Sequence, residues 1–413
     1  MPKKALVRAG RVHRLVREAG AFGVRAGEAR VDWPAVVARQ HAIVKRLQPR
    51  PEALERAGIR VVLGDARFAD PRTLRVTGPA GAVEVAGERI VIGAGSEPVV
   101  PAVEGRDLGI TSTELLFLPE FPRRLVLVGA GVIGLEMAGA FSDLGAEVTV
   151  LGREAEILPA LDPDVAAYIR GILESRGVAF RLGAAVTGLS GSRGAAVVRY
   201  DAGGGAHETA PATVCWSVGR RWHARTLGAE GLGLETGRLG LRTSPDLRTS
   251  QPHVWAAGDA AGNVQLTPTA ALEGKVAALN ALRGGQAAPD LSVVPQTIFT
   301  TPEVARVGLT HREARARGVD CHVSTHDTRG ASNGVATGED GGYLKLVFEG
   351  GSERVLGVQM VSWAAAELIQ LAALAIRTGV TAERLATQLS VHPSHAERFL
   401  KIAAHEYHEV CEV

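Results

Sequence analysis

Residues 124–153 read as strand, glycine turn, helix and strand. Arg124-Leu125-Val126-Leu127-Val128 is an apolar run suited to a parallel strand buried on both faces. It feeds Gly129-Ala130-Gly131-Val132-Ile133-Gly134, then a helical stretch to Leu144 and Gly145, then a second strand over Glu147–Leu151. In such a unit Gly129 permits the tight turn, Gly131 lets the backbone approach a pyrophosphate, and Gly134 packs helix on strand. The amides that open the helix then face the phosphates. This commits the middle of the chain to a parallel α/β fold and points to a dinucleotide. A tight strand-to-helix turn without a ligand is the plainer alternative.

The end of the second strand chooses between nucleotides. An NAD site places Asp or Glu there to accept hydrogen bonds from the ribose hydroxyls. Here Gly152 stands in that place and Arg153 follows. Without the acid a 2′-phosphate is not repelled, and a guanidinium binds it bidentately. NADPH is therefore expected ahead of NADH, the alternative being a solvated loop arginine.

At roughly 150 residues per domain, 413 residues make two or three domains, and 46% apolar residues fill their cores. The charge, 46 − 44 = +2, implies no polyanion-binding surface, and no nucleic-acid partner is expected. No run approaches the roughly 18 apolar residues of a membrane span. Cys215, Cys321 and Cys411 are odd in number and far apart, unlike a secreted disulfide scaffold, and suggest a reducing, cytoplasmic setting.

Residues 3–18 read as an amphipathic helix with Leu6, Ala9, Val12 and Val16 on one face, although an Arg-rich transit peptide has the same texture. A second helical pattern runs from Ala35 to Leu47. Short β runs follow at Arg60–Leu63, Thr73–Val76, Val83–Val85 and Arg89–Ile92, the last entering Gly93-Ala94-Gly95-Ser96-Glu97-Pro98.

Together these segments resemble the flavoprotein disulfide reductases, the family of glutathione reductase, dihydrolipoamide dehydrogenase and mercuric reductase. Gly93–Pro98 is similar to the family's ATGSxP segment, and Val214–Arg220 to the strand and turn before GRxPN, with Trp222 and His223 where Pro and Asn are usual. Trp255-Ala256-Ala257-Gly258-Asp259 with Leu266-Thr267-Pro268 is similar to the flavin segment. Phe299-Thr300-Thr301-Pro302-Glu303, Leu356-Gly357 and His392-Pro393-Ser394-His395-Ala396-Glu397 complete the order.

The resemblance implies Rossmann-like FAD- and NAD(P)-binding domains and a C-terminal α+β dimerisation domain. The FAD domain is expected at 1–122 and 247–291, N-terminally incomplete, the NAD(P)H domain at 123–246, and the dimerisation domain at 292–413. Gly342–Glu349 and the apolar helix Ala364–Thr378 fit the last of these. The implied activity is NADPH-dependent reduction of a small-molecule or protein disulfide through FAD, in a homodimer. A dihydrolipoamide dehydrogenase-like or mercuric reductase-like enzyme, or a non-catalytic nucleotide-binding remnant, are the alternatives.

The resemblance also implies roles. Asp259 would bond the ribityl chain, and Gln265, Leu266, Thr267 and Pro268 would line the flavin ring. Ala66 would offer backbone to the adenine side, and Ala94, Gly95 and Ser96 would lie against the cofactor. Glu136 would pair with Lys4 beside the flavin ring, and Gly219 would approach NADPH. No metal ligand set is assigned. Ser394-His395-Ala396-Glu397 is itself an S-x-x-E capping box, which explains Glu397 structurally. The resemblance implies instead that Glu397 orients His392, which moves protons to and from a thiolate in the partner's site.

Two family features are not among these residues: the first FAD-binding βαβ unit and the CxxxxC redox pair. Met1-Pro2-Lys3-Lys4-Ala5-Leu6 resembles the stretch just after the second redox cysteine, and its PKK form leans towards glutathione reductase. An internal methionine taken as the start, or an N-terminal deletion, is the expectation. Cys411 with His405 and His408 could bind a metal, but a frayed terminal helix is the expected state.

Overall fold

A computed structural model describes residues 2–79, 81–222, 227–229 and 231–404, with the backbone of 409–410. It divides into two compact units: Met1–Val44, Val100–Val218 and Ser292–Val413 form one, Lys45–Val99 and Gly219–Leu291 the other. No described helix is long and apolar enough to cross a membrane.

The first unit is built around a parallel five-stranded sheet. Its order is Ile110–Thr111, Thr213–Trp216, β1 (Arg124–Val128), β2 (Glu147–Gly152) and Ala179–Leu182. Four of the five residues of β1 are buried, as its apolar run requires of a central strand. Helix α2 (Val132–Asp143) follows the glycine turn and is buried on nearly all sides.

One covering element is helix α1 (Pro2–Glu18), and Gly10 sets the distance: a Cβ there would lie 3.0 Å from both the Ala140 carbonyl oxygen and Asp143 Cβ. The packed face of α1 runs through Leu6, Gly10, His13 and Arg14. Val12 and Val16, expected on that face, are 45% and 36% exposed. At about 100° per residue they lie about 160° and about 120° round the helix from Gly10, whereas Leu6, His13 and Arg14 lie within about 60° of it. The polar residues His13 and Arg14 occupy the packed side because buried Asp143 faces them: His13 Nδ1 is 2.7 Å from its carbonyl oxygen, and Arg14 Nε is 3.9 Å from its carboxylate.

The same unit contains an antiparallel sheet ordered Gln296–Ile298, Glu303–Gly308, Val355–Ser362, Tyr343–Glu349, Cys321–Asp327 and Glu409–Val410. Helix Ala365–Arg377 packs its Leu368, Ile369 and Ala372 against Val307, Val358 and Met360 of that sheet. The segment singled out at Gly342–Glu349 forms strand Tyr343–Glu349, and the helix expected at Ala364–Thr378 is found at Ala365–Arg377.

The second unit has a three-stranded meander, Asp65–Asp70, Thr73–Gly78 and Gly81–Ala86. The strand expected at Arg60–Leu63 is irregular chain. Pairing selects the following segment instead, Ala66 opposite Val76, and leaves Ile59 and Leu63 exposed. Ile90–Ile92 pairs in parallel with Val254–Ala256 over a small core that includes Trp222 and Leu241. The fold class read from the sequence is the observed one.

Candidate functional site

The three glycines of the turn differ in what they do. A Cβ at Gly134 would fall 2.0 Å from the Gly129 carbonyl oxygen. One at Gly129, where φ is 120°, would fall 2.4 Å from the Ser217 carbonyl oxygen. Around Gly131 nothing lies within 4 Å of that position, so the middle of the turn is open to an incoming group. No side chain caps α2 and no acid sits in its first turn, leaving its leading amides available to an anion. The Ser217 hydroxyl lies 2.9 and 3.0 Å from the carbonyl oxygens of Val128 and Gly129 and braces the turn. Its signal in the sequence was its place just past the neighbouring strand Thr213–Trp216.

Gly152 ends β2 with its Cα wedged between neighbours: a Cβ would lie 2.8 Å from Leu182 Cδ2 and 2.9 Å from Ala130 Cβ. An acid is disfavoured there by packing alone. Arg153 is 84% exposed and meets Glu154 at 3.2 Å. An exposed pair of this kind is worth about 0–1 kcal/mol.

Glu136, in α2, is fully buried. Its Oε1 accepts a 2.9 Å hydrogen bond from the Phe299 N–H, and its carboxylate pairs with Lys3. Lys4, expected as the partner, lies instead with its Nζ 4.5 Å from the centre of the Phe299 ring. One residue turns a helix by about 100°, so Lys3 faces α2 and Lys4 faces outward. Burial pushes the Glu136 carboxyl above its ordinary 4.5, against the opposing pull of Lys3 and the Phe299 amide. An acid raised in the folded state contributes stability that is present below pH 4.5 and lost as pH rises through the raised value. Glu136→Gln is therefore expected to be more stable than the parent at pH 7, because a neutral amide removes the cost of burying a carboxylate. The difference should vanish on acidification to about pH 4, where the parent carboxyl is neutral as well. Lys3, 33% exposed, regains water when its partner is neutralised. Denaturant unfolding at the two pH values checks this; a destabilised variant at pH 7 would show that the ion pair outweighs burial.

In the second unit, Ser96 Oγ donates to Asp259 Oδ2 at 2.5 Å. Arg220 Nε donates to Ser96 Oγ at 2.9 Å, and its Nη2 to the Ser96 carbonyl. Asp259 sits in the short turn Gly258–Ala261, which a fully buried carboxylate holds from below: Glu273 accepts from the Gly258 N–H at 2.6 Å and from Asn263 Nδ2 at 3.1 Å. Arg220 and Glu273 are the residues that sequence reasoning did not single out. Ala94 and Gly95 lie in the same loop as Ser96, Gly95 at φ 71°. Gly219, at φ 116°, accepts from the Val99 N–H through its carbonyl. Gln265 carries a buried Nε2 without a hydrogen-bond partner; Leu266 is the N-cap and Thr267 and Pro268 the opening residues of helix Thr267–Arg283. Ala66 is half-buried in the meander.

His392 and Glu397 do meet, Nδ1 to Oε2 at 2.8 Å. Ser394 also caps helix His395–Lys401, its Oγ accepting from the Glu397 N–H at 3.1 Å. The Glu397 carboxylate does not return to Ser394; it goes to Lys401 and His392, and hydrogen bonds from these two hold it below the usual carboxylate range. The imidazole is 67% exposed. Ser394→Ala is expected to cost about 1 kcal/mol in unfolding free energy, the typical worth of such a cap, while the His392–Glu397 bond persists.

Cys215 is buried in its strand, and burial with the nearby Glu114 charge pushes its thiol up to about 12, so at neutral pH it is no nucleophile. Cys321 is buried in strand Cys321–Asp327. Met1, His223, His405, His408 and Cys411 lie outside the described residues.

Comparison with known proteins identifies the family. The glutathione reductase of Burkholderia cepacia is 32% identical over 97% of this chain and 88% of its own. The dihydrolipoyl dehydrogenase of Geobacillus stearothermophilus is 30% identical over 98% and 86%. The HOCl-induced flavoprotein disulfide reductase from Escherichia coli superposes with a TM-score of 0.84 at 27% identity, over 98% of this chain and 89% of that one. The pyridine nucleotide-disulphide oxidoreductase family matches residues 1–274, and its dimerisation domain residues 294–403. The chain belongs to the pyridine nucleotide-disulphide oxidoreductase family, the flavoprotein disulfide reductases.

Proposed function

We propose that the chain is the nucleotide-binding and dimerising body of a cytoplasmic, homodimeric, NADPH-dependent disulfide reductase. One observation carries the reading: an open Gly131 at an uncapped helix start, on a strand pair that ends in Gly152 and Arg153. The α2 amides would take the pyrophosphate, and Arg153 the 2′-phosphate.

FAD is the family's resident cofactor, and the second unit fits it. The unpartnered Nε2 of Gln265 supports this, as does the polar trio in which Asp259 and Arg220 meet Ser96 of the glycine-bearing loop. Bound FAD would accept hydride from NADPH and pass electrons on. Asp259 and Ser96 would hold its ribityl hydroxyls, Gln265 to Pro268 its ring, Ala94 and Gly95 its phosphate side and Ala66 its adenine side. Lys3 and Glu136 supply a charged pair on the nucleotide side, and Gly219 an open backbone for NADPH. Glu397, bound at Nδ1, fixes the His392 ring so that Nε2 is the atom that holds and releases a proton for a thiolate. The substrate is a disulfide.

Titration of the purified chain with NADPH and NADH tests the reading. NADPH is expected to bind tighter by about 1–3 kcal/mol, the worth of charge-assisted contacts to the 2′-phosphate, and Arg153→Ala should erase the preference. Equal affinities in the parent would remove Arg153 from its role.

A further inference from the structure

The loop that carries Arg153 is held at its far end by another part of the same unit. Residues 153–162 connect β2 to helix Pro163–Ser175, and three successive carbonyls in it, those of Pro159, Ala160 and Leu161, accept from arginines of the C-terminal sheet region. Arg306, on strand Glu303–Gly308, donates to Ala160. Arg312, on helix His311–Ala316, donates through one nitrogen to both Pro159 and Leu161.

Asp162 completes the clamp. It does not cap its own helix; its carboxylate accepts from the backbone N–H groups of His311 and Arg312 at 3.0 and 3.1 Å and from Gln359 Nε2 at 2.5 Å. Lys345 Nζ, itself buried, lies 3.4 Å from it. At the other side of the loop Leu158 is driven into the left-handed region, φ 47°, with its N–H donating to the carbonyl of Ala130 at 3.1 Å. Ala130 lies between the two glycines that would cradle the pyrophosphate. A leucine keeps such a conformation only where its surroundings over-determine it, and here the surroundings are the arginine clamp and the turn.

We propose that Arg306 and Arg312 are positioning residues for nucleotide selection. By fixing residues 159–162 they set where the preceding Arg153 stands relative to the glycine turn, so the dimerisation domain tunes discrimination at the 2′-phosphate without touching the nucleotide. The inference rests on the assignment of Arg153 to that phosphate. Arg153 itself is nearly all in solvent and has Glu154 as its only ion-pair partner among the described residues. Its position therefore depends on what holds the loop ends: the Gly183 N–H on the Glu154 carbonyl, and the clamp.

The test is calorimetric titration of NADPH and NADH against the full chain and against Arg306→Ala/Arg312→Ala, with melting curves alongside. The double variant is expected to lose five- to tenfold of the NADPH-over-NADH preference while NADH affinity changes less than twofold. Arg312→Lys, which retains the charge but not the two-carbonyl reach, should recover part of the preference. If the double variant does not fold, Arg312→Ala alone, at an exposed residue, carries the same test. Equal weakening of both nucleotides would reduce the clamp to a structural prop, and an unchanged ratio would remove the arginines from selection; either overturns the inference and leaves the functional reading intact. A parent chain that binds neither nucleotide overturns both.

Discussion

Gly131→Val is expected to leave the fold standing and remove dinucleotide binding, whereas Gly134→Ala is expected to damage the fold itself. Gly131 has extended backbone, φ −87° and ψ −170°, which any residue adopts, and open space where its Cβ would be. A valine there costs the protein little but occupies the approach to the helix amides. Losing even one or two charge-assisted bonds, at about 1.5–3 kcal/mol each, weakens NADPH by roughly ten- to a hundredfold or more. At Gly134 the added carbon would stand 2.0 Å from the Gly129 carbonyl oxygen, which belongs to backbone and has nowhere to go. Overpacking of this kind costs about 1–3 kcal/mol and sometimes more. Melting curves and NADPH titrations on the two variants separate the effects. A Gly131→Val protein that binds NADPH as tightly as the parent would mean that the phosphates do not lie on this turn.

The second large effect is in disulfide turnover. A polypeptide of residues 1–413, given FAD and NADPH, is expected to show no measurable disulfide reduction, only slow transfer to oxygen or quinones. Disulfide exchange needs a thiolate. With its thiol pushed up to about 12, Cys215 is ionised to only about one part in 10⁵ at pH 7, and it is buried in a strand of the parallel sheet. Weak retention of FAD is expected from the same polypeptide, because only one GxGxxG turn is present and it is assigned to NADPH. Joining a βαβ segment that bears CxxxxC ahead of Pro2 should restore yellow colour and turnover together. Disulfide reduction by residues 1–413 alone would overturn this expectation and make Cys411 the first residue to mutate.

What was legible in the sequence was what the local backbone demands. Gly129 and Gly134 announce themselves because turn and packing each exclude a side chain there, and Gly131, which the fold itself does not require, was legible through its place between them. The His392–Glu397 spacing was equally visible: Ser394 caps the helix, and the Glu397 carboxylate, which does not return to Ser394 as a capping box requires, meets His392. What was not legible depends on partners distant in sequence. The choice of Lys3 over Lys4 is a matter of helix phase against α2. The exposure of Val12 and Val16 follows from Asp143 drawing Arg14 and His13 to the packed side. The strand at Asp65–Asp70 replaced the more apolar Arg60–Leu63 because pairing with Thr73–Gly78 decided the register. Arg220 and Glu273 act through contacts that no spacing reveals.

The central claim is that this chain brings the reducing power of NADPH to a flavin. Anaerobic mixing of the protein with saturating FAD and either nucleotide, followed by the flavin's visible absorbance, tests it most directly. The predicted result is bleaching that requires the protein, runs faster with NADPH than with NADH, and is lost in Gly131→Val and Asp259→Ala. Bleaching no faster than that of free FAD in buffer would contradict it.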